Sequence, residues 1–229
     1  MKLLFQKIER KLHQCRLKPI RVFCVHQVSE RFDNSTMSHG DWMQIEVFKR
    51  AIESLLRDGY RFISLPEMQE KLKHDILRVQ KYAVLTADDG WGSIKNILPW
   101  LAERQIPITL FLNPAYLDGK HFRERKTEKY LTEEEVCHLY ERYPLLTIGM
   151  HGWEHADAAK QSLSEFKESV MCSVKYLSRI NNYIPYFAYA WGNHTIDTDT
   201  ILLDMHISPV LMDGGKNYNE TKYIHRELL

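Results

Sequence analysis

Tyr82-Ala-Val-Leu-Thr-Ala-Asp-Asp-Gly90 is an apolar run that ends in two adjacent carboxylates and a glycine. The run predicts a buried strand, and the glycine lets the backbone turn so that both carboxylates can face one cavity. A second apolar run, Leu145-Leu-Thr-Ile-Gly-Met150, is followed directly by His151-Gly-Trp-Glu-His155. One aspartate and two histidines make a ligand set for a divalent metal, which leaves the other carboxylate available as a general base.

Strands and helices alternate along the rest of the chain, and no glycine- or serine-rich linker interrupts them. Apolar patterns predict strands at 21–26, 60–65, 82–87, 107–112, 145–150, 183–189 and 208–212, with a polar loop at 27–40. Capping boxes at Thr132-Glu-Glu-Glu135 and Ser162-Leu-Ser-Glu165 predict the starts of two helices. A third helix, predicted at 93–105, contains Pro99, which bends it or delays its start. This alternation favours a parallel α/β architecture, either a barrel or a doubly wound sheet.

The candidate chemical residues share one position, at the C-terminal ends of predicted strands. In a (β/α) barrel, the carboxyl ends of the strands form the edge where active sites are built. Two adjacent acids at a buried strand end are costly unless a cation neutralises them. The residues at these strand ends are His26, Asp88, Asp89, His151 and His155.

Composition excludes several classes of protein. The 229 residues suit one domain, and a formal net charge of +1 provides no attraction to nucleic acid. No stretch approaches the ~18 apolar residues of a membrane span, and residues 1–12 do not resemble a signal peptide. The four cysteines have no paired spacing, which favours reduced thiols and a cytoplasmic location.

The N-terminal residues have a helical apolar face formed by Leu4, Phe5, Ile8 and Leu12. We therefore divide the chain into an amphipathic helix at residues 1–18 and one domain at residues 19–229. Packing of this helix on its own domain is favoured, and contact of residues 1–14 with a membrane surface is the alternative.

Each motif also has an ordinary interpretation. Asp-Asp-Gly is by itself a common turn. The stretch from His151 to His155 also satisfies His-x-x-Glu-His, the pattern of inverted zinc metalloproteases. That chemistry needs the histidines on a helix, whereas a predicted strand precedes them and Gly152 follows the first. The protease interpretation also leaves the aspartate pair unused.

Three ordered stretches, Thr86-Ala-Asp-Asp-Gly90, His151-Gly-Trp-Glu-His155 and Phe187-Ala-Tyr-Ala-Trp-Gly192, resemble the signatures of the polysaccharide deacetylase family (carbohydrate esterase family 4, NodB-homology domain). The start at Val25-His-Gln-Val28 and the pattern from Phe48 to Leu65 look most like the branch of bacterial biofilm poly-N-acetylglucosamine deacetylases. The resemblance implies a single-domain, distorted (β/α) barrel. It also implies metal-dependent removal of an acetyl group from a sugar.

The resemblance also implies the site residues. Asp88 matches the catalytic base. The expected metal is Zn²⁺, with Co²⁺, Ni²⁺ or Fe²⁺ as alternatives, and its ligands match Asp89, His151 and His155. The general acid of the biofilm branch matches His26, while His225 is a weaker match to the late histidine of the more common arrangement.

The third signature implies the groups around the acyl oxygen. Its oxyanion donor matches the backbone N–H of Trp191, within a substrate-binding loop that includes Tyr189 and Gly192. Ala188 stands where an arginine often supports the base, and Arg226 is the proposed replacement. Two further departures from the pattern are Ala87, in place of an aromatic residue, and Ala190, in place of a proline. Three tryptophans either stack on a sugar or pack in the core, and the sequence favours neither alternative: Trp42, Trp91 and Trp153.

We therefore expect a metal-dependent deacetylase that acts on an amino-sugar-containing substrate. A cytoplasmic precursor of a surface polysaccharide, nucleotide-linked or lipid-linked, fits the cytoplasmic location. Two alternatives remain open: a non-catalytic barrel that binds a glycan or a partner, and a hydrolase of the same fold that acts on a non-sugar amide.

Overall fold

The computed structural model describes residues 18–31, 42–74, 79–117, 129–219 and 221–229. Apart from Lys18, the predicted N-terminal helix and its membrane-contact alternative lie outside these residues. Among the helices that are described, none has both the length and the apolar character that crossing a membrane requires.

The described strands are β1 (Ile20–Val25), β2 (Gln27–Ser29), β3 (Trp42–Gln44), β4 (Tyr60–Phe62), β5 (Lys81–Ala87), β6 (Ile108–Leu112), β7 (Leu146–Met150), β8 (Tyr183–Ala188), β9 (Ser208–Leu211), β10 (Ile224–His225) and β11 (Glu227–Leu228). Within the described residues, eight of them pair in parallel in the order β10-β9-β8-β7-β6-β5-β1-β11, and β4 pairs with the start of β5. The two strands at the ends of this order, β10 and β11, are neighbours in the chain. The sheet therefore forms a nearly closed barrel, as the sequence predicted.

The described α-helices are α1 (Ile45–Arg57), α2 (Leu65–His74), α3 (Leu98–Glu103), α4 (Glu133–Arg142), α5 (Leu163–Leu177) and α6 (Ile196–Asp204). Both predicted capping boxes are present, at the starts of α4 and α5. The helix predicted at 93–105 is divided into a 3-10 helix (Gly92–Asn96) and α3. Pro99 lies in the first turn of α3, where its missing N–H costs no hydrogen bond.

Short pairings in two regions were not predicted. The segment after β1 is not an irregular loop throughout, because β2 pairs in parallel with β3. The second is the closure of the barrel, where β10 pairs with β9 and β11 pairs with β1. Only Arg226 separates β10 from β11, so one short segment contacts strands from both ends of the sheet. Strands of two residues have no alternation that could reveal them in the sequence.

Both faces of the barrel wall are buried. On β5, Val84 belongs to an inner cluster of apolar side chains, whereas Leu85 belongs to a larger outer cluster that includes residues of the surrounding helices. Alternate residues of a strand point to opposite faces, so a strand buried on both faces is apolar without interruption. This explains why the barrel strands appear in the sequence as continuous apolar runs.

An ion pair crosses the seam of the barrel and provides a stability test. Arg21 on β1 donates to both carboxylate oxygens of Glu227 on β11, at 2.8 Å and 2.9 Å. This contact with Arg21 lowers the pKa of Glu227, although partial burial opposes the shift. We expect Glu227→Gln to reduce the free energy of unfolding by about 1 kcal/mol at neutral pH, measured by urea denaturation.

The pH dependence of this loss has a defined sign. Because the pKa of Glu227 is lower in the folded protein, its stabilisation is present above the unfolded pKa and disappears as the pH falls through the folded value. Glu53→Gln is the control, since Glu53 lies 4.0 Å from Arg104 in a partly exposed pair. An equal loss for Glu227→Gln at neutral and at strongly acidic pH would contradict the prediction.

Candidate active site

Two aspartates, Asp88 and Asp89, follow β5, and their side chains point in different directions. The Asp88 N–H donates to the Val25 carbonyl at 3.0 Å, so the chain still follows β1 at this point. Asp89 and Gly90 then adopt positive φ angles of 71° and 76°. A Cβ atom at Gly90 would lie 2.8 Å from Cδ2 of Leu112, so the turn requires glycine both for its conformation and for space.

His151 directly follows β7, and hydrogen bonds hold its ring in one orientation. Its backbone N–H donates to the Leu112 carbonyl at 2.9 Å, and its Nδ1 lies 2.8 Å from the Ala188 carbonyl oxygen. A carbonyl oxygen only accepts, so Nδ1 carries the proton and donates. Nε2 then points to Oδ1 of Asp89, at 3.4 Å. This arrangement orients a metal-binding histidine through its second nitrogen.

His155 reaches the same carboxylate from an irregular loop. Its Nε2 lies 3.0 Å from Oδ1 of Asp89, and its ring centroid lies 4.9 Å from that of His151. Gly152 and His155 have positive φ angles of 82° and 26°, and the residues between them are not helical. The His-x-x-Glu-His stretch therefore lacks the helix that an inverted zinc metalloprotease needs.

The donor set around Asp89 fits a divalent cation. Its Oδ2 accepts a hydrogen bond from Trp91 Nε1 at 2.8 Å. Its Oδ1 is buried without a hydrogen-bond donor among the described residues, and it faces Nε2 of both histidines. Burial opposes the charged carboxylate, but the contacts with His151 and His155 hold the pKa of Asp89 well below its ordinary value. One carboxylate oxygen and two imidazole nitrogens match the ligand chemistry of zinc and related metals.

Asp88 has a different partner. Arg226 donates from Nη1 and Nη2 to the two carboxylate oxygens of Asp88, at 2.7 Å and 2.6 Å, and both side chains are buried. Nη1 also lies 3.2 Å from Oγ1 of Thr86 and 3.3 Å from Sγ of Cys24. Burial alone would raise the pKa of Asp88, but the Arg226 charge, aided by His151, lowers it to about 2. Asp88 is therefore ionised at neutral pH.

Of the two candidate acids, His26 lies near Asp88. One ring nitrogen of His26, the Sγ of Cys24 and a carboxylate oxygen of Asp88 all lie within 4.8 Å of one another, and His26 Nδ1 is a buried atom without a hydrogen-bond partner in the described residues. His225 instead pairs with Asp213 at 2.7 Å, and its side chain lies in the opposite direction from that of its neighbour Arg226.

The third signature places Tyr189 and Trp191 in different environments. Tyr189 is buried, and its hydroxyl donates to Oδ1 of Asp199 at 2.8 Å. Trp191 has a positive φ of 62° and is 67% exposed, with its ring centroid 5.0 Å from that of His155. Gly192, also at positive φ, donates its N–H to the Tyr189 carbonyl and completes the turn.

Two of the tryptophans considered for sugar stacking are engaged in packing. Trp91 is only 2% exposed and stacks on Tyr130 at a centroid distance of 4.2 Å. Trp153 lies edge-on to Tyr176 of α5, at 6.0 Å. Trp91 is thus buried and bonded to Asp89, which favours the packing alternative for this residue. The reason is the segment around Tyr130, which forms a bridge with Trp91 and covers its ring.

One residue of the site was missed. Asn113 donates from Nδ2 to the carbonyl oxygens of His151 and Gly152, at 2.6 Å and 3.2 Å. These bonds hold the loop that contains both histidines. Asn113 directly follows β6, so its place after a predicted strand was a signal that could have identified it.

Comparisons with known proteins identify the family and support the fold. A family model described as polysaccharide deacetylase matches residues 77–210. Among solved structures, IcaB from Ammonifex degensii has 21% identity and a TM-score of 0.78, over 92% of this chain and 91% of that chain. A de-N-acetylase from Aggregatibacter actinomycetemcomitans has 16% identity and a TM-score of 0.76, over 93% and 95%. The Streptococcus pyogenes deacetylase PplD, in complex with acetate, has 19% identity and a TM-score of 0.75, over 93% of both chains. No curated protein sequence matches significantly.

The hydrogen bond from Trp91 to Asp89 gives a prediction about metal affinity. We expect Trp91→Phe to weaken Zn²⁺ binding by about tenfold to a hundredfold, because the carboxylate loses the donor that orients it while the aromatic stack remains. Competition with a chromophoric chelator at fixed pH measures the change.

The matched control is Trp42→Phe. It also removes an indole donor, which bonds to Oγ of Ser29 at 2.7 Å, but this bond does not involve Asp89 or either histidine. Equal Zn²⁺ affinities for wild type and Trp91→Phe would show that Trp91 does not orient the ligand.

Proposed function

Because this chain belongs to the polysaccharide deacetylase family, as its three signatures predicted, we propose that it is a metal-dependent hydrolase that removes an N-acetyl or other short acyl group from an amino sugar. One observation carries the proposal. Two adjacent aspartates have different main partners: Asp89 Oδ1 lies 3.4 Å and 3.0 Å from two imidazole nitrogens, while Asp88 pairs with a guanidinium at 2.6 Å and lies farther, at 4.0 Å, from His151 Nε2. This separation provides a metal ligand and an independent base within one site.

In this proposal, Asp88 is the general base. It takes a proton from the water that adds to the acyl carbon, and Arg226 holds its carboxylate in one orientation. A carboxylate with a pKa of about 2 is a weak base for ordinary water. A divalent cation held by Asp89, His151 and His155 would supply the Lewis acidity that polarises the acyl carbonyl and makes water easier to deprotonate.

The remaining roles concern the oxyanion and the leaving amine. The Trp191 N–H donates to the acyl oxygen as negative charge develops there. His26 then protonates the nitrogen as the C–N bond breaks, because an amide nitrogen leaves poorly without a proton. The products are a carboxylate such as acetate and a free amino sugar. Two observations support His26: it lies close to Asp88, and its Nδ1 has no hydrogen-bond partner among the described residues.

For the substrate, we favour a nucleotide-linked or lipid-linked amino sugar in the cytoplasm, a precursor of a surface polysaccharide. The described cysteines support this compartment, since Cys24, Cys137 and Cys172 are free thiols and the last two are exposed. Exposed thiols persist in reducing compartments.

The first test compares metal content and acetate release in matched aspartate variants. We expect wild type to hold about one divalent metal per chain and to release acetate from UDP-N-acetylglucosamine or an N-acetylglucosamine oligosaccharide. Asp88→Asn should keep the metal and lose about a thousandfold in kcat, because the base is lost while Asp89, His151 and His155 remain. Asp89→Asn should lose the metal, and the control Asp204→Asn, at the exposed end of α6, should change neither property.

The outcomes separate the three candidate functions. Metal with acetate release from simple amides but not from sugars would indicate a non-sugar amidase. A protein that retains no divalent metal and hydrolyses none of these substrates would indicate a binding barrel instead. Full activity of Asp88→Asn would reject its role as the base.

A second prediction concerns the buried ion pair. Arg226→Met should destabilise the protein by about 3 to 5 kcal/mol, because the buried Asp88 carboxylate would lose the guanidinium that pairs with it. The double variant Asp88→Asn/Arg226→Met should be more stable than the sum of the single effects predicts, since neither buried charge remains. Urea unfolding of the four proteins measures this coupling, and strictly additive losses would contradict it.

A further inference from the structure

Cys24, His26 and Asp88 form a second cluster of metal-binding side chains, outside the ligand set around Asp89. Cys24 lies in β1, and His26 directly follows this strand. Asp88 follows β5, the parallel neighbour of β1, in which Thr86 is the register partner of Cys24. The Cys24 sulfur, one ring nitrogen of His26 and a carboxylate oxygen of Asp88 all lie within 4.8 Å of one another. A single cation can therefore contact all three groups after small side-chain movements.

Each of the three groups can bind a cation without losing a strong hydrogen bond. Cys24 is buried, and its S–H donates to the Val25 carbonyl at 3.6 Å, which is a weak hydrogen bond. His26 Nδ1 is a buried atom without a hydrogen-bond partner among the described residues. Arg226 occupies two of the about four lone-pair sites of the Asp88 carboxylate, so a lone pair remains on each oxygen.

The thiol selects the kind of metal. Burial raises the pKa of Cys24 well above its usual value, although Arg226 opposes the shift, so the sulfur keeps its proton until a metal displaces it. The thiolate that then forms lies beside the Arg226 guanidinium, whose Nη1 is 3.3 Å from the sulfur. This positive charge stabilises the thiolate, and the thiolate offsets the charge that the metal adds. Zn²⁺ and Co²⁺ bind thiolates well, whereas Mg²⁺ and Mn²⁺ prefer oxygen ligands.

We propose that Cys24, His26 and Asp88 form an inhibitory site for a thiophilic divalent cation such as Zn²⁺. A sulfur–metal bond forms, the S–H bond breaks, and the proton leaves to solvent. Asp88 and His26, the proposed base and acid, are then both bound to the metal and can no longer transfer protons. The metal site itself does not depend on the proposed function, whereas the inhibition rests on it. The chain is therefore active with one metal and inactive with two.

Cobalt spectroscopy on the full chain tests the site. In the parent protein, Cys15, Cys137 and Cys172 are changed to serine, so that Cys24 is the only thiol that remains. Titration with Co²⁺ should fill two sites and produce the near-ultraviolet absorption band of a cobalt–thiolate bond, which the ligands around Asp89 cannot produce because they contain no sulfur.

Three variants of the parent separate the two sites. Cys24→Ser, which is close in size, and Cys24→Ala, which has no ligand atom, should both remove the thiolate band and raise Kd for one of the two equivalents by about a hundredfold. Asp89→Asn should instead retain the band, now with the first equivalent of Co²⁺. The urea midpoint of each protein, compared with that of wild type, shows that it is folded.

Acetate release during a Zn²⁺ titration provides the second readout. For each protein, the rate with excess Zn²⁺ is divided by its own rate with one equivalent. This ratio should fall toward zero for the parent and stay near unity for Cys24→Ser. A folded parent without a thiolate band at any Co²⁺ concentration would overturn the site, and a band without inhibition by Zn²⁺ would overturn its inhibitory role. A band in the parent, with no acetate release by wild type, would overturn the deacetylase proposal and the inhibition but leave the metal site standing.

Discussion

The buried ion pair between Arg226 and Asp88 joins the architecture of the barrel to its chemistry. Arg226 lies between the two short strands that close the sheet, and Asp88 lies at the end of β5, 138 residues earlier in the chain. Burial of two charges is favourable only when the charges are well paired. Here two short hydrogen bonds pair the guanidinium with the carboxylate. Closure of the barrel and orientation of the carboxylate therefore depend on the same contact.

This pair also explains how two neighbouring aspartates can differ. The positive φ at Asp89 turns its carboxylate away from Arg226 and toward two imidazoles and an indole N–H. Without that turn, both carboxylates would compete for one guanidinium, and the imidazole nitrogens would lack an anionic partner. The backbone conformation therefore gives the two carboxylates different surroundings. Glycine is needed at position 90, because a Cβ atom there would collide with Leu112.

Local patterns predicted the parts of the fold that depend on local physics. The apolar runs before Asp88 and His151 predicted buried strands, and the capping boxes at Thr132 and Ser162 predicted helix starts. The seam strands and the packing of Trp91 could not be predicted, because they depend on residues distant in sequence. The pairing of Arg226 with Asp88 was reached only through resemblance to a family, since no spacing rule joins residues so far apart.

The third signature contains one aromatic residue that is buried and another that is exposed. Tyr189 extends into the layer between the sheet and the helices, where Asp199 accepts its hydroxyl and the ring stacks on Phe166. Two residues later, Trp191 faces solvent beside His155. Because the buried tyrosine anchors the loop, the exposed tryptophan can be held at the rim without a core contact of its own. The loop is thus ordered by contacts within the protein, so the Trp191 backbone N–H that we assign to the acyl oxygen has a fixed position.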